Sequence, residues 1–179
     1  MSKLKITATI PAMKPYCYCW EKWDGKTWIT TEEFSVSYDD GKVAFKITVG
    51  PGFITDGGSV PKPLHDRIGP LGMYLLAFLV HDVLYGCKHL DREIADWILL
   101  EIMDYLDDIA YDSTVKGGWF SRQKEKIDRL AGKYSGYSWF KRNAAWRLVR
   151  RLGGAAWDTK SPVKVALIRK QIQFELIKT

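Results

Sequence analysis

The chain has 179 residues and a mass of 20.5 kDa, the length of one ordinary domain, and 46% of its residues are hydrophobic against 27% charged. With 15 Gly and 7 Pro, that balance excludes a disordered or fibrous protein. The net charge of +6 hides a polarised molecule, because residues 1–112 carry 11 Lys and Arg against 17 Asp and Glu while residues 113–179 carry 16 against 4.

The greasiest stretch, Leu71 to Val80, stops at His81-Asp82 and is too short for a bilayer span. The Met-Ser-Lys start carries no apolar leader, so synthesis and residence in the cytoplasm are expected. Three cysteines, Cys17, Cys19 and Cys87, without a CxxC pair argue for reduced packing residues rather than disulfides or a zinc site.

Residues 1–55 read mainly as strands. Leu4, Ile6, Ala8 and Ile10 alternate with polar residues up to Pro11. Trp28 to Thr31 and Phe34 to Tyr38 follow; Asp39-Asp40-Gly41 marks a hairpin turn, and Val43 to Val49 returns, which predicts an antiparallel sheet. Gly50-Pro51-Gly52 breaks it. Residues 56–70, interrupted repeatedly by Gly and Pro, read as a long ordered loop.

A helical hairpin is expected over 71–110. Its first arm, Leu71 to Cys87, is apolar nearly all round, with Gly86 where it would fray. Asp91 is the N-cap of the second arm, which runs to about Ala110 with Ile94, Ala95, Ile98, Leu99, Ile102 and Leu106 as its apolar stripe. Past Gly117-Gly118, a basic helical part over 119–157 holds helices from Ser121 to about Ala131 and from Ser138 to Leu152, closed by Gly153-Gly154. The tail element, 160–179, fits either a helix or a returning strand. The expectation is therefore an α+β fold in one domain, 1–179: an N-terminal antiparallel sheet, a helical hairpin and further C-terminal helices.

Chemistry concentrates at His81-Asp82, a polar pair inside a greasy helix. An unpaired buried carboxylate costs several kcal/mol or takes up a proton, so the pair needs partners. With the turn near residues 87–90, His81 and Asp96 both lie about 8–9 Å from it along their helices, at about 1.5 Å per residue, and so face each other. A carboxylate on one imidazole nitrogen fixes the tautomer and makes the other nitrogen a better base. His81 and Asp96 are thus the candidate catalytic pair. Asp82 points about 100° around the helix, free to serve a different partner. Asp56, in the flexible Thr55-Asp56-Gly57-Gly58-Ser59, has surroundings suited to a hard divalent cation or a phosphate. The bland alternative is a satisfied polar network that fixes helix register, with Asp56 closing a turn.

The run Gly52-Phe53-Ile54-Thr55-Asp56-Gly57-Gly58-Ser59-Val60-Pro61, then His81-Asp82-Val83-Leu84-Tyr85, then Ala95-Asp96 resembles a family of uncharacterised proteins common in tailed bacteriophages and prophages. Trp146, Val149-Arg150, Gly153 and Trp157 look like the same family's closing block, so the likeness covers 52–157 and implies phage origin without an activity. A second likeness is local. His81-Asp82 and Tyr85 on one helix, followed by Asp96 from the next, look like the centre of calcium-dependent phospholipases of the secreted type and of the parvoviral capsid lipase. That likeness implies His81 as the base, Asp82 and a glycine loop as calcium ligands, Asp96 as the orienting acid and Tyr85 in support. It departs from the pattern in having no paired cysteines beside the histidine and a longer, Pro-rich stretch before the helix.

Three functions follow from different classes. A phage hydrolase would cleave an ester of lipid or cell envelope with calcium's help, its basic aromatic C-terminal part, including Arg142, Arg147, Arg150 and Arg151, resting on an anionic membrane surface. A non-enzymatic virion or tail-assembly component would bind other phage proteins through its oppositely charged halves. A nucleic-acid-binding or host-defence-inhibiting protein would use the same basic part on phosphates. A metal-dependent phosphohydrolase built with His65-Asp66, His89 and Asp107 is a weaker variant of the first. All three place the protein in the host cytoplasm on synthesis, with virion association as a later fate.

Overall fold

Alternation with a period of two builds the central sheet. In β4 (Phe34–Asp39), Phe34, Val36 and Tyr38 are buried, and in β5 (Ala44–Val49) Phe45, Ile47 and Val49 are buried. The antiparallel register pairs Phe34 with Val49, Val36 with Ile47 and Tyr38 with Phe45, so the apolar residues of both strands share one face. The turn between them is fixed by its own side chains: Asp39 Oδ1 accepts the Gly41 N–H at 2.8 Å, and Asp40 Oδ1 accepts the N–H groups of Lys42 and Val43 at 2.7 and 2.6 Å. Gly41 sits at φ 87°, a conformation that favours glycine.

This computed structural model describes residues 4–17, 27–55, 74–114, 143, 146–151, 153–154, 157 and 172–178. Within them β1 (Lys5–Ala8) flanks β4, and β7 (Ile172–Lys178) flanks β5, so the four-stranded antiparallel sheet runs β1-β4-β5-β7. The tail, for which periodicity left helix and strand open, is thus a strand where it is described: Ile172 and Phe174 lie opposite Val49 and Ile47, extending their apolar face.

A second sheet was not expected. It joins β2 (Met13–Pro15), β3 (Trp28–Thr30) and β6 (Ile54–Thr55) in the order β2-β3-β6. Its strands have two or three residues each, too few to show a period. Gly52, at φ 93°, makes the turn from β5 towards β6, where its N–H donates to the Thr30 carbonyl at 2.8 Å and the Phe53 N–H donates to Thr30 Oγ1 at 3.0 Å.

The helical hairpin is α1 (Leu75–Cys87) and α2 (Arg92–Thr114). The expected limits shift at both ends: α1 begins at Leu75 rather than Leu71, and α2 runs past Ala110. Gly86 does not fray α1 but lies buried inside it. The stop comes at Lys88, which adopts the left-handed conformation (φ 53°, ψ 35°) and donates its N–H to the Leu84 carbonyl at 2.9 Å. In α2, Ala95, Ile98, Leu99, Ile102 and Met103 are buried in one cluster with the apolar residues of α1 and of β4 and β5. Polar bonds tie the layers together. The Tyr38 hydroxyl donates to Glu101, the Tyr74 hydroxyl to Asp107 Oδ1 at 2.6 Å, and Thr55 Oγ1 to Asp82 Oδ2 at 2.6 Å.

The C-terminal helical expectation holds at residues 146–151, which are helical, but Gly153, Gly154 and Trp157 are helical too, so the expected close at the two glycines is not found. The loop at 56–70 and the helix from Ser121 to about Ala131 lie outside the described residues. Cys17 is half-buried and Cys87 is buried, its thiol donating to the Leu84 carbonyl at 3.7 Å, and Cys19 is outside the described residues. Among the described residues no helix is long and apolar enough to cross a membrane.

Candidate functional site

His81, on α1, and Asp96, one turn into α2, come together across the hairpin. His81 Nε2 stands 2.9 Å from Asp96 Oδ1. A carboxylate only accepts, so Nε2 carries the proton and Nδ1 is left as the basic nitrogen. The His81 side chain is 11% exposed and that of Asp96 is fully buried, so the acid is sealed while the imidazole keeps a narrow opening.

Tyr85, one turn after His81, donates its hydroxyl to the same Asp96 Oδ1 at 2.5 Å. Its ring centroid lies 4.1 Å from that of His81 and 4.8 Å from Trp157, which meets it edge-on, so the phenol is held between imidazole and indole. Arg150 Nη1 donates to Asp96 Oδ2 at 3.0 Å, and Arg92 Nε stands 3.6 Å from that oxygen. Burial alone would raise the Asp96 carboxyl, but the hydrogen bonds from His81, Tyr85 and Arg150 outweigh it and hold Asp96 below the usual carboxylate range. Burial, then the bond to Asp96, push the Tyr85 phenol up to about 12 against the opposing Arg92 guanidinium.

Asp82 faces elsewhere, as its place on the helix requires. Its Oδ2 accepts the Thr55 hydroxyl at the end of β6, the residue before Asp56. Asp56 itself and Arg142 lie outside the described residues. Arg147 and Arg151 are exposed. Arg150 is not one of that surface set, because its guanidinium is committed to Asp96 and Glu93. Of the alternative metal set, His89 stacks on Phe174 with centroids 4.8 Å apart and Asp107 accepts the Tyr74 hydroxyl; His65 and Asp66 are outside the described residues. Among the described residues, no three or more His, Cys, Asp or Glu side chains group to hold a metal.

Sequence reasoning overlooked what closes the site from the C-terminal side. Trp146 donates its indole N–H to the Asp96 carbonyl at 2.8 Å, and Trp157 packs on Tyr85 with Lys88 Nζ 5.2 Å from its ring centroid. The glycines after Leu152, expected to close the helix, are themselves helical and serve close approach instead: a Cβ on Gly153 would fall 2.8 Å from the Tyr85 hydroxyl, and one on Gly154 would fall 3.1 Å from Arg92 Nη1. The signals were present as the four-residue spacing of Trp146 and Arg150 and the three-residue spacing of Glu93 and Asp96, each of which puts two side chains on one helix face.

Fold and site together define an α+β protein in which a helical hairpin carries an imidazole against a sealed carboxylate. The chain belongs to the family described as protein of unknown function (DUF1353), whose model matches residues 28–119. That span takes in His81, Asp82, Tyr85 and Asp96 and ends before Trp146, Arg150 and Trp157. No curated protein and no solved structure matches the chain.

Proposed function

We propose that this is a bacteriophage hydrolase that cleaves an ester of a lipid or cell-envelope substrate, with His81 as general base. The observation that carries the reading is the direction of the imidazole: Nε2 is bound to Asp96 at 2.9 Å, which fixes the tautomer and leaves Nδ1 for a water molecule. In the step, Nδ1 takes a proton from water as the water oxygen bonds to the ester carbonyl carbon. When the bond to the alcohol oxygen then breaks, the imidazolium returns that proton to the leaving alcohol. Asp96 stays ionised and steadies the imidazolium, and Tyr85 holds Asp96 in place.

The donor chemistry fits a hard cation such as calcium in one respect: Asp82 presents carboxylate oxygens beside Thr55. The remaining donors of this reading, Asp56 and loop carbonyls, lie outside the described residues. Such a cation would supply Lewis-acid stabilisation of negative charge developing on the carbonyl oxygen. The exposed Arg147 and Arg151, with Arg142, would rest on an anionic lipid surface. Phage origin, synthesis in the host cytoplasm and one domain over 1–179 belong to the same reading. They are supported by the sequence blocks quoted above and by the buried cluster shared by sheet and hairpin.

Hydrolysis of anionic phospholipid vesicles by the intact chain, with calcium and then with a chelator, tests this. Ester cleavage that calcium supports, and that needs more calcium in Asp82→Asn, is expected; no cleavage under either condition overturns the reading. One observation favours a second reading, a virion or tail-assembly component: Asp96 is fully buried with each carboxylate oxygen hydrogen-bonded, as in a purely structural network. For that reading, His81→Ala should unfold a parent that has no activity.

A further inference from the structure

The His81–Asp96 pair is backed by a cation from a distant part of the chain. Arg150 divides its guanidinium between two carboxylates of α2, with Nη1 donating to Asp96 Oδ2 and Nη2 to Glu93 Oε1, each at 3.0 Å. Its own carbonyl accepts a hydrogen bond from Arg92 Nη2, and Trp146, one turn earlier, binds the Asp96 carbonyl. The segment around Arg150 is therefore tied to α2 through main chain and side chains at once.

The two Asp96 oxygens have separate duties. Oδ1 receives His81 and Tyr85, whereas among the described residues Oδ2 has Arg150 as its only donor within hydrogen-bonding distance, since Arg92 Nε stands at 3.6 Å. The last torsion of an aspartate is soft, so a carboxylate held at one oxygen only can turn. We infer that Arg150 is a positioning residue: by holding Oδ2 it keeps Oδ1 aimed at His81 Nε2 and so sets which ring nitrogen is the base. This rests on the hydrolase reading for its consequence but not for its geometry. It also assigns a part in the site to a residue beyond the span that the family model matches.

The test uses the full chain with Arg150→Gln and Arg150→Lys, read by hydrolysis of calcium-treated anionic phospholipid vesicles and by NMR of the His81 ring nitrogens. Arg150→Gln should lower kcat on the order of 100-fold, the cost of a misplacement of about 1 Å, with KM within about twofold, and should mix the His81 tautomers. Arg150→Lys, which keeps a cation on Oδ2, should restore a single tautomer and bring kcat to within about tenfold of the parent. If Arg150→Gln does not fold, Arg150→Met, which keeps the stem without the cation, decides by the same NMR measurement: mixed tautomers support the inference and the parent's single tautomer overturns it. Parent-like kcat and tautomer in a folded Arg150→Gln also overturn it. A parent that hydrolyses nothing sinks the hydrolase reading alone, and the tautomer measurement still decides the role of Arg150.

Discussion

Asp96→Asn exchanges one oxygen of a fully buried carboxylate for an amide NH2 at a point where every side-chain neighbour is a donor. His81 Nε2 at 2.9 Å and Tyr85 Oη at 2.5 Å converge on Oδ1, and Arg150 Nη1 at 3.0 Å meets Oδ2. Whichever way the amide turns, it sets donor against donor, and Arg150 loses its buried counter-charge. Each hydrogen bond to a charged group contributes about 1.5–3 kcal/mol, but bonds sharing one acceptor are not additive, so the better guide is the roughly 3–5 kcal/mol lost when one partner of a buried ion pair is removed. That is a large share of an ordinary stability of about 5–15 kcal/mol. Urea unfolding of the parent and Asp96→Asn at neutral pH measures it. The pH dependence has a definite sign. Asp96 is held below the usual carboxylate range, so its stabilisation is present above the unfolded value of about 4 and is lost as pH falls through the lower folded value. The gap between the two proteins should therefore narrow in acid, where protonated Asp resembles Asn. A loss under about 1 kcal/mol at neutral pH, far below the buried-pair cost, or a gap that widens in acid, would refute this reasoning.

Gly153→Ala should destabilise by about 1–3 kcal/mol, the usual cost of overpacking, because its Cβ would fall 2.8 Å from the Tyr85 hydroxyl; a denaturant double-mutant cycle should show partial relief in Tyr85→Phe, and full additivity would contradict the clash. Tyr85 should ionise near 12, above the ordinary phenol value of about 10, so its contribution is complete below pH of about 10 and lost as pH rises through 12. The phenolate absorbance lost in Tyr85→Phe should have that midpoint. Phe45→Ala should cost about 3–5 kcal/mol by thermal or urea unfolding, since Phe45 is fully buried and stacks between Tyr38 and Phe174 with centroids 4.9 and 5.6 Å away.

The parts of the molecule legible in the sequence are those where burial imposes a period. Phe34 to Tyr38 and Val43 to Val49 alternate because one face of the central sheet is covered, and Ile98, Leu99 and Ile102 recur because α2 lies on that core. The meeting of His81 with Asp96 followed from helix rise and turn position alone. Of the second sheet only its middle strand, Trp28 to Thr30, was legible; that it forms a separate sheet was hidden because its partners β2 and β6 are shorter than the pattern they would need to display. The end of α1 at Cys87 was legible, but its cause was not: Lys88 takes the left-handed stop, and Gly86 does not fray the last turn. Arg150 read as one of a row of surface cations: nothing local to it says that its carboxylate partners lie more than fifty residues upstream. Such pairings depend on tertiary contacts that no short window contains.

The most direct measurement is the rate of ester cleavage in calcium-treated anionic phospholipid vesicles by the parent and by His81→Ala, both shown folded by their melting profiles. A general base contributes on the order of 10²–10⁴-fold, so the parent should cleave and the variant should fall by that factor. Equal rates in the two proteins, or no cleavage by a folded parent, would contradict an imidazole base at residue 81.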